Sequence, residues 1–174
     1  YDVTKGSVKV DGVDVRDMTQ KELRDKLGYV PQKGVLFSGT IDSNIRYGKP
    51  EITDAQVKEA AEVAQATEFI DTKPEKYESP VSQGGTNVSG GQKQRLSIAR
   101  AIAKDPEIFI FDDSFSALDF KTDSQLRKAL KEYTKDATTV IVAQRISTIL
   151  GADQIIVLDD GHMAGIGTHK ELMA

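Results

Sequence analysis

Ile108-Phe109-Ile110-Phe111 is an apolar run without polar interruption, and it ends in adjacent carboxylates, Asp112 and Asp113. A strand with one wet face alternates in polarity, whereas a short unbroken apolar run reads as a strand buried on both faces of a parallel sheet. Thr139 to Ala143 and Ile155 to Leu158 have the same β-branched character. Between these runs Leu126, Ala129, Leu130 and Tyr133 recur at i, i+3, i+4 and i+7, which lays an apolar stripe along one helix face. Strands alternating with helices predict an α/β fold around a parallel sheet. At the N-terminal end, Val8 to Val15 alternates around Asp11-Gly12, and a second Asp-Gly pair sits at Asp160-Gly161. Such pairs are strong signals for tight hairpins, so an antiparallel flank is expected beside the parallel core.

The middle of the chain differs. From about Ile41 to Ala103 strand patterns vanish, and Val57, Ala60, Ala61 and Ala64 mark a helix opened by Thr53 with Gln56 three residues on, the pattern of a capping box. Pro74, Pro80 and Gly84-Gly85 punctuate the loop before the next helix. This region reads as a helical insertion. At 174 residues, 39% apolar and 29% charged, the chain has the size of one globular domain. A net charge of -4 gives no broad basic field, so no nucleic acid partner is expected. The absence of cysteine excludes a disulfide scaffold and a thiolate metal site. No stretch approaches the roughly 18 to 20 apolar residues that cross a bilayer, so any membrane role comes through a partner.

The chemistry concentrates in three places. Ser89-Gly90-Gly91-Gln92 precedes Leu96, Ala99 and Ala103, with Ser89 able to cap a helix and Gln92 to return the bond. A helix N-terminus after two glycines offers free N–H groups and a close approach to phosphate, although a plain turn before a capped helix has the same residues. Asp112 and Asp113 end a strand where α/β ligands bind; one can hold Mg²⁺ through water and the next can address an attacking water. Asp119, six residues after Asp113, is the other carboxylate nearby, equally readable as a helix cap. Gln32 and Gln144 each follow an apparent strand, and a glutamine amide can ligate Mg²⁺ or orient water but cannot act as a base.

In this order, Gln32, Val88-Ser89-Gly90-Gly91-Gln92, Asp112-Asp113, Ser116-Ala117-Leu118-Asp119 and Gln144 resemble the Q-loop, signature, Walker B, D-loop and switch positions of ABC ATPases. The resemblance implies a P-loop NTPase-like fold, with a RecA-like core over 1–32 and 104–174 and a helical signature subdomain over 33–103. It implies ATP and Mg²⁺ as cofactors, with Gln32 and Asp112 at the metal. Ser89, Gly90, Gly91, Gln92 and Asp119 would lie on nucleotide, and Asp113 and Gln144 would be catalytic. In that family two domains pack head to tail, each ATP lying between one subunit's Walker side and the other's signature helix. The stretch from Leu36 to Ile45 is similar to the exporter segment that faces the membrane domains, which implies an export motor at the cytoplasmic face of the membrane.

Two departures qualify the resemblance. A phosphate-binding loop needs a Gly-rich turn with Lys followed by Ser or Thr, and the Gly48-Lys49 pair is followed by Pro50. The family's Walker A loop would lie upstream of Tyr1 to Ser7, so the expectation is a domain lacking its first part. Such a piece by itself should bind ATP weakly and be inactive. The family's efficient sites also carry Glu after the Walker B Asp and His at the switch, where this chain has Asp113 and Gln144, and Gln83 stands where many exporters have Glu. That implies a degenerate site in one half of a heterodimeric exporter, its signature serving the partner. A regulatory half with little turnover, or a soluble ABC ATPase not engaged in transport, remain as alternatives.

Overall fold

The computed structural model describes residues 2–174; Tyr1, first residue of the expected N-terminal segment, lies outside them. Strands β1 (Lys9–Val10) and β2 (Val13–Asp14) form the expected hairpin, closed by a bond from Val15 N to Val8 O at 3.0 Å. Asp11 and Gly12 take φ of 51° and 81°, the left-handed pair that a tight turn of this hand requires. Helix α1 (Gln20–Lys26) is opened by a capping box between Thr19 and Glu22, and leads directly into β3 (Leu27–Val30).

The insertion follows. Two-residue strand β4 (Gly39–Thr40) precedes helices α2 (Ile41–Ile45), α3 (Asp54–Val63) and α4 (Thr67–Asp71), and β5 (Pro80–Val81) returns to pair antiparallel with β4. Thr53 and Gln56 make the expected capping box on α3, and Val57, Ala60, Ala61 and Ala64 are buried. The β4–β5 pair is the exception to a strand-free middle; at two residues per strand no period can show it. Helix α5 (Gly90–Ala103) is covered nearly all round from Gln94 onward, with Leu96, Ile98, Ala99 and Ile102 at most 1% exposed and the polar Gln94 and Ser97 also buried. It packs against α2, α3 and β3. At Gly28 an added Cβ would lie 2.6 Å from Pro106 Cγ and 3.3 Å from Ala101 O, so glycine is what lets β3 lie so close to this helix.

Strand β6 (Ile108–Asp112), helix α6 (Phe120–Tyr133) and strand β7 (Thr138–Val142) complete the core, with α7 (Ile146–Ile149) after β7. β3, β6 and β7 pair in parallel in that order. Phe109 and Phe111 are buried, their rings 6.0 Å apart, and Phe115 meets Phe111 at 5.3 Å. Leu126 and Leu130 of α6 join the same core.

Two strand expectations are corrected. The parallel sheet is covered on one face only: Val30, Phe109 and Phe111 are buried, while Tyr29, Val140 and Val142 are exposed. Helix α5 supplies a cover on one side, and apolar composition alone does not reveal how many faces are covered. Strand β8 (Ile155–Asp159), expected in the parallel sheet, pairs instead with β9 (His162–Gly167) as an antiparallel hairpin before helix α8 (His169–Leu172). The turn between them dictates this pairing, with φ of 46° at Asp160 and 74° at Gly161.

Candidate functional site

Because β3, β6 and β7 run parallel, their C-terminal ends emerge on one edge. Gln32 lies two residues past β3, Asp112 ends β6, Asp113 follows it, and Gln144 lies two residues past β7. The edge therefore collects the glutamines and the paired carboxylates, with the carboxylates on the central strand. Gln32 Nε2 donates to Asp113 Oδ2 at 3.2 Å, which leaves the Gln32 carbonyl oxygen as the end able to ligate a cation. Tyr29 donates its hydroxyl proton to Asp112 Oδ2 at 3.1 Å. Partial desolvation first, and the hydrogen bond to the Asp112 carboxylate second, push the hydroxyl of the half-exposed Tyr29 above its ordinary range, so it stays a donor at neutral pH.

The turn after β6 is fixed from several sides. Asp113 has a φ of 44°, a left-handed conformation that a residue with a Cβ holds at a cost of about 1 kcal/mol. Its N–H donates to Val142 O at 2.8 Å, and its carbonyl accepts Ser116 Oγ at 2.9 Å. Ser114 is fully buried and donates its hydroxyl to Val30 O at 2.8 Å, tying this turn to the end of β3. Arg145, beside Gln144, donates to Ser116 O at 3.4 Å. The donor set on this edge, the Asp112 and Asp113 carboxylates and the Gln32 amide oxygen, is hard and incomplete. That suits Mg²⁺, which keeps water and takes oxygens from phosphates, and no cluster of three or more His, Asp or Glu side chains suited to a metal occurs among the described residues.

Ser89 to Gln92 sit elsewhere. Gln92 N donates to Ser89 Oγ at 3.2 Å and Ser89 N to Gln92 Oε1 at 3.1 Å, so the two side chains cap α5 for each other. Around Gly90 an added Cβ would meet nothing within 4 Å, whereas at Gly91 it would lie 3.5 Å from Ala117 O. Ser89 to Gln92 thus abut the 116–119 stretch, and no hydrogen bond among the described residues joins them to Asp112 or Asp113. Asp119 is the cap of α6, its Oδ1 accepting Thr122 N at 2.9 Å and its Oδ2 accepting Thr122 Oγ1 at 2.6 Å. The Thr122 hydroxyl first, and the backbone N–H second, hold its carboxyl below the usual range. Gln144 is exposed.

A second surface surrounds the 36–45 stretch. Leu36, Ile41 and Ile45 point inward, and buried Asn44 donates to Phe37 O at 2.8 Å and Thr40 O at 2.9 Å. Arg100 of α5 clamps the segment by donating to Val35 O at 2.9 Å and Asn44 O at 2.8 Å. Phe37 and Tyr47 stack at 4.2 Å and stay exposed at 41% and 56%. Sequence reasoning missed Tyr29, Ser114 and Arg145. The alternation of Tyr29 with buried Val30 was a readable signal for a side chain on the open face; nothing local marks Ser114, whose partner is 84 residues away.

Residues 1–116 match the family model of the ABC transporter. This chain belongs to the ABC transporter family. The ABC chain is 48% identical over 177 residues to an uncharacterized ABC transporter ATP-binding protein of Mycobacterium tuberculosis, with all of this chain and 30% of that protein covered. It is 47% identical over 174 residues to a Staphylococcus aureus protein named for multidrug export, an ATP-binding/permease protein, again over all of this chain and 30% of that one. Among solved structures, a bacterial Atm1-family ABC exporter with ATP bound superposes with a TM-score of 0.95 at 40% identity, over 99% of this chain and 30% of that one. The ABC chain therefore has the P-loop NTPase-like α/β fold, with a parallel core, inserted helices and antiparallel flanks. It spans 30% of the length of these relatives, and none of its described helices is long and apolar enough to cross a membrane.

Proposed function

We propose that this ABC chain is the ATP-binding and hydrolysing motor of a membrane exporter, working in a head-to-tail pair of such domains. The observation that carries the reading is the single edge on which Gln32, Asp112 and Asp113 meet, with no hydrogen bond among the described residues joining the Ser89–Gln92 stretch to it. Asp112 and the Gln32 carbonyl would hold Mg²⁺, which neutralises phosphate charge when bound. Asp113 would orient the attacking water and take its proton as the water oxygen bonds to the γ-phosphorus and ADP leaves. Gln144 would donate a hydrogen bond to the γ-phosphate. Ser89, Gly90, Gly91 and Gln92 would complete the nucleotide site of the partner, with Asp119 nearby. Phosphoryl transfer depends mainly on positioning and charge, and separate surfaces suit a site assembled from two subunits.

In this reading the helical part, 33–103, carries the signature, and 1–32 with 104–174 carries the core. The 36–45 stretch with Phe37 would dock on the transmembrane domains at the cytoplasmic face of the membrane. Because Asp113 is one methylene shorter than Glu, its carboxylate is retracted by about 1.5 Å, and misplacement of roughly 1 Å can cost on the order of a hundredfold. Together with Gln144 this supports a degenerate site in a heterodimer, and it equally favours a regulatory half that binds nucleotide with little turnover. The 174 residues alone hold no phosphate-binding loop, so by themselves they would bind ATP weakly and not turn it over.

The test is to place Ser89→Ala or Gly91→Asp in the full-length transporter. Turnover should fall while ATP binding to this chain's own half stays nearly unchanged. Loss of ATP binding in this half alone would contradict the head-to-tail assignment.

A further inference from the structure

Gln94 is a buried polar side chain that the site as described does not use. It is 1% exposed, it lies on α5 five residues past the Ser89 cap, and both ends of its amide are engaged across the fold. Its Oε1 accepts the Gly34 N–H at 2.8 Å, and its Nε2 donates to Pro31 O at 3.0 Å. These two backbone groups flank Gln32 on either side. The same stretch is pressed against the helix: a Cβ added at Gly34 would lie 2.8 Å from Lys93 O and 2.9 Å from Ser97 Oγ.

We propose that Gln94 is a positioning residue, whose amide fixes the backbone on both sides of Gln32 to the signature helix and so sets where the Gln32 carbonyl can reach beside Asp112 and Asp113. The geometry is selective for glutamine. One amide supplies both the acceptor that Gly34 needs and the donor that Pro31 needs, since Pro31 C=O is an acceptor only. Glutamate keeps the acceptor and sets a second oxygen against the Pro31 carbonyl, and leucine keeps the volume and satisfies neither group. Because half-buried backbone groups that lose a protein partner turn to water for one, losing the amide would shift the 31–34 stretch toward water, and Gln32 with it. A residue that merely filled space would leave the cation requirement of the site untouched.

The inference rests on Gln32 and Asp112 holding Mg²⁺ in an ATP-hydrolysing site. The experiment is a Mg²⁺ titration of ATP hydrolysis by the full-length transporter, comparing the native chain with Gln94→Leu and Gln94→Glu. Gly34→Ala serves as a second route, pushing the segment off α5 without touching the amide. Amide hydrogen exchange over 31–34 is followed in each. We expect all three variants to raise the Mg²⁺ concentration for half-maximal turnover about tenfold, with faster exchange at 31–34 and no change in the amount of folded protein. Unshifted Mg²⁺ midpoints in folded, active variants would overturn the role of Gln94, even where turnover drops. A native transporter without Mg-ATP hydrolysis would overturn the functional reading, and this inference with it.

Discussion

On the β3–β6 side of the site edge, Gln32, Asp113 and the Ser114–Val30 bond join one network over a buried core; on the β7 side, Gln144 follows a strand with four of five residues exposed. The first half is organised by folding, because its turn is tied to β3 and its strand is pinned against α5. The second half is tied through the backbone pairing of β7 to β6 and the Arg145–Ser116 contact. Gln32 and Asp113 thus sit where the core dictates their position, while Gln144 sits where little packing constrains it. Under the proposed function this suits Gln144, whose placement bound nucleotide and partner would decide.

The contrast is broken most directly in the core. Leu96→Ala, fully buried in α5, should destabilise the domain by about 2–5 kcal/mol, and Val140→Ala on the open face by no more than about 0.5 kcal/mol. Equilibrium unfolding of both variants decides it; similar losses would mean that β7 is as firmly packed as α5. A sharper version removes the tie at the edge itself. Ser114→Ala deletes a buried hydrogen bond to the Val30 carbonyl, which should cost roughly 0.5–1.5 kcal/mol. If unfolding free energy is unchanged, the turn carrying Asp113 is held by other contacts.

How much of this was legible depended on range. The capping boxes at Thr53 and Ser89, the hairpins at Asp11-Gly12 and Asp160-Gly161, and the strand ending in Asp112 were readable because each is encoded within a few residues. The family resemblance rested on the order of short motifs, and the family match and the ATP-bound exporter agree with it. What the sequence hid was non-local. Strand β8 is the exception: its apolar composition, the same in both sheet types, was read as parallel, although the local Asp160-Gly161 turn already pointed to a hairpin. The faces of β7 were read as buried because exposure depends on which helices cover them. Gln94 and Ser114 carried no signal, since their partners lie 60 or more residues away.

The smallest effect lies outside both halves, in the N-terminal hairpin. The Arg16 side chain first, and its backbone N–H second, lower the Asp14 carboxyl from 3.8 to about 2. A carboxyl depressed in the folded state stabilises above its unfolded value and loses that stabilisation as pH falls, so this contact fades between about pH 4 and 2. Arg16 is about half exposed, so the effect on stability is minor and weakens with salt. An NMR titration of Asp14 should give a midpoint near 2; a midpoint at 3.8 would mean that the Arg16 contact does not persist.

Under the proposed function the firmly held half of the edge would supply a competent cradle, while the short Asp113 and the amide at Gln144 would make this site slow. Single-turnover hydrolysis at this site measures that claim, in the full-length transporter with the partner's site disabled by mutation. Residues that act as a unit are strongly non-additive, so Asp113→Glu with Gln144→His should raise the rate by about a hundredfold, well beyond the product of the single changes. An unmodified site that already turns over as fast as the partner's would contradict the account.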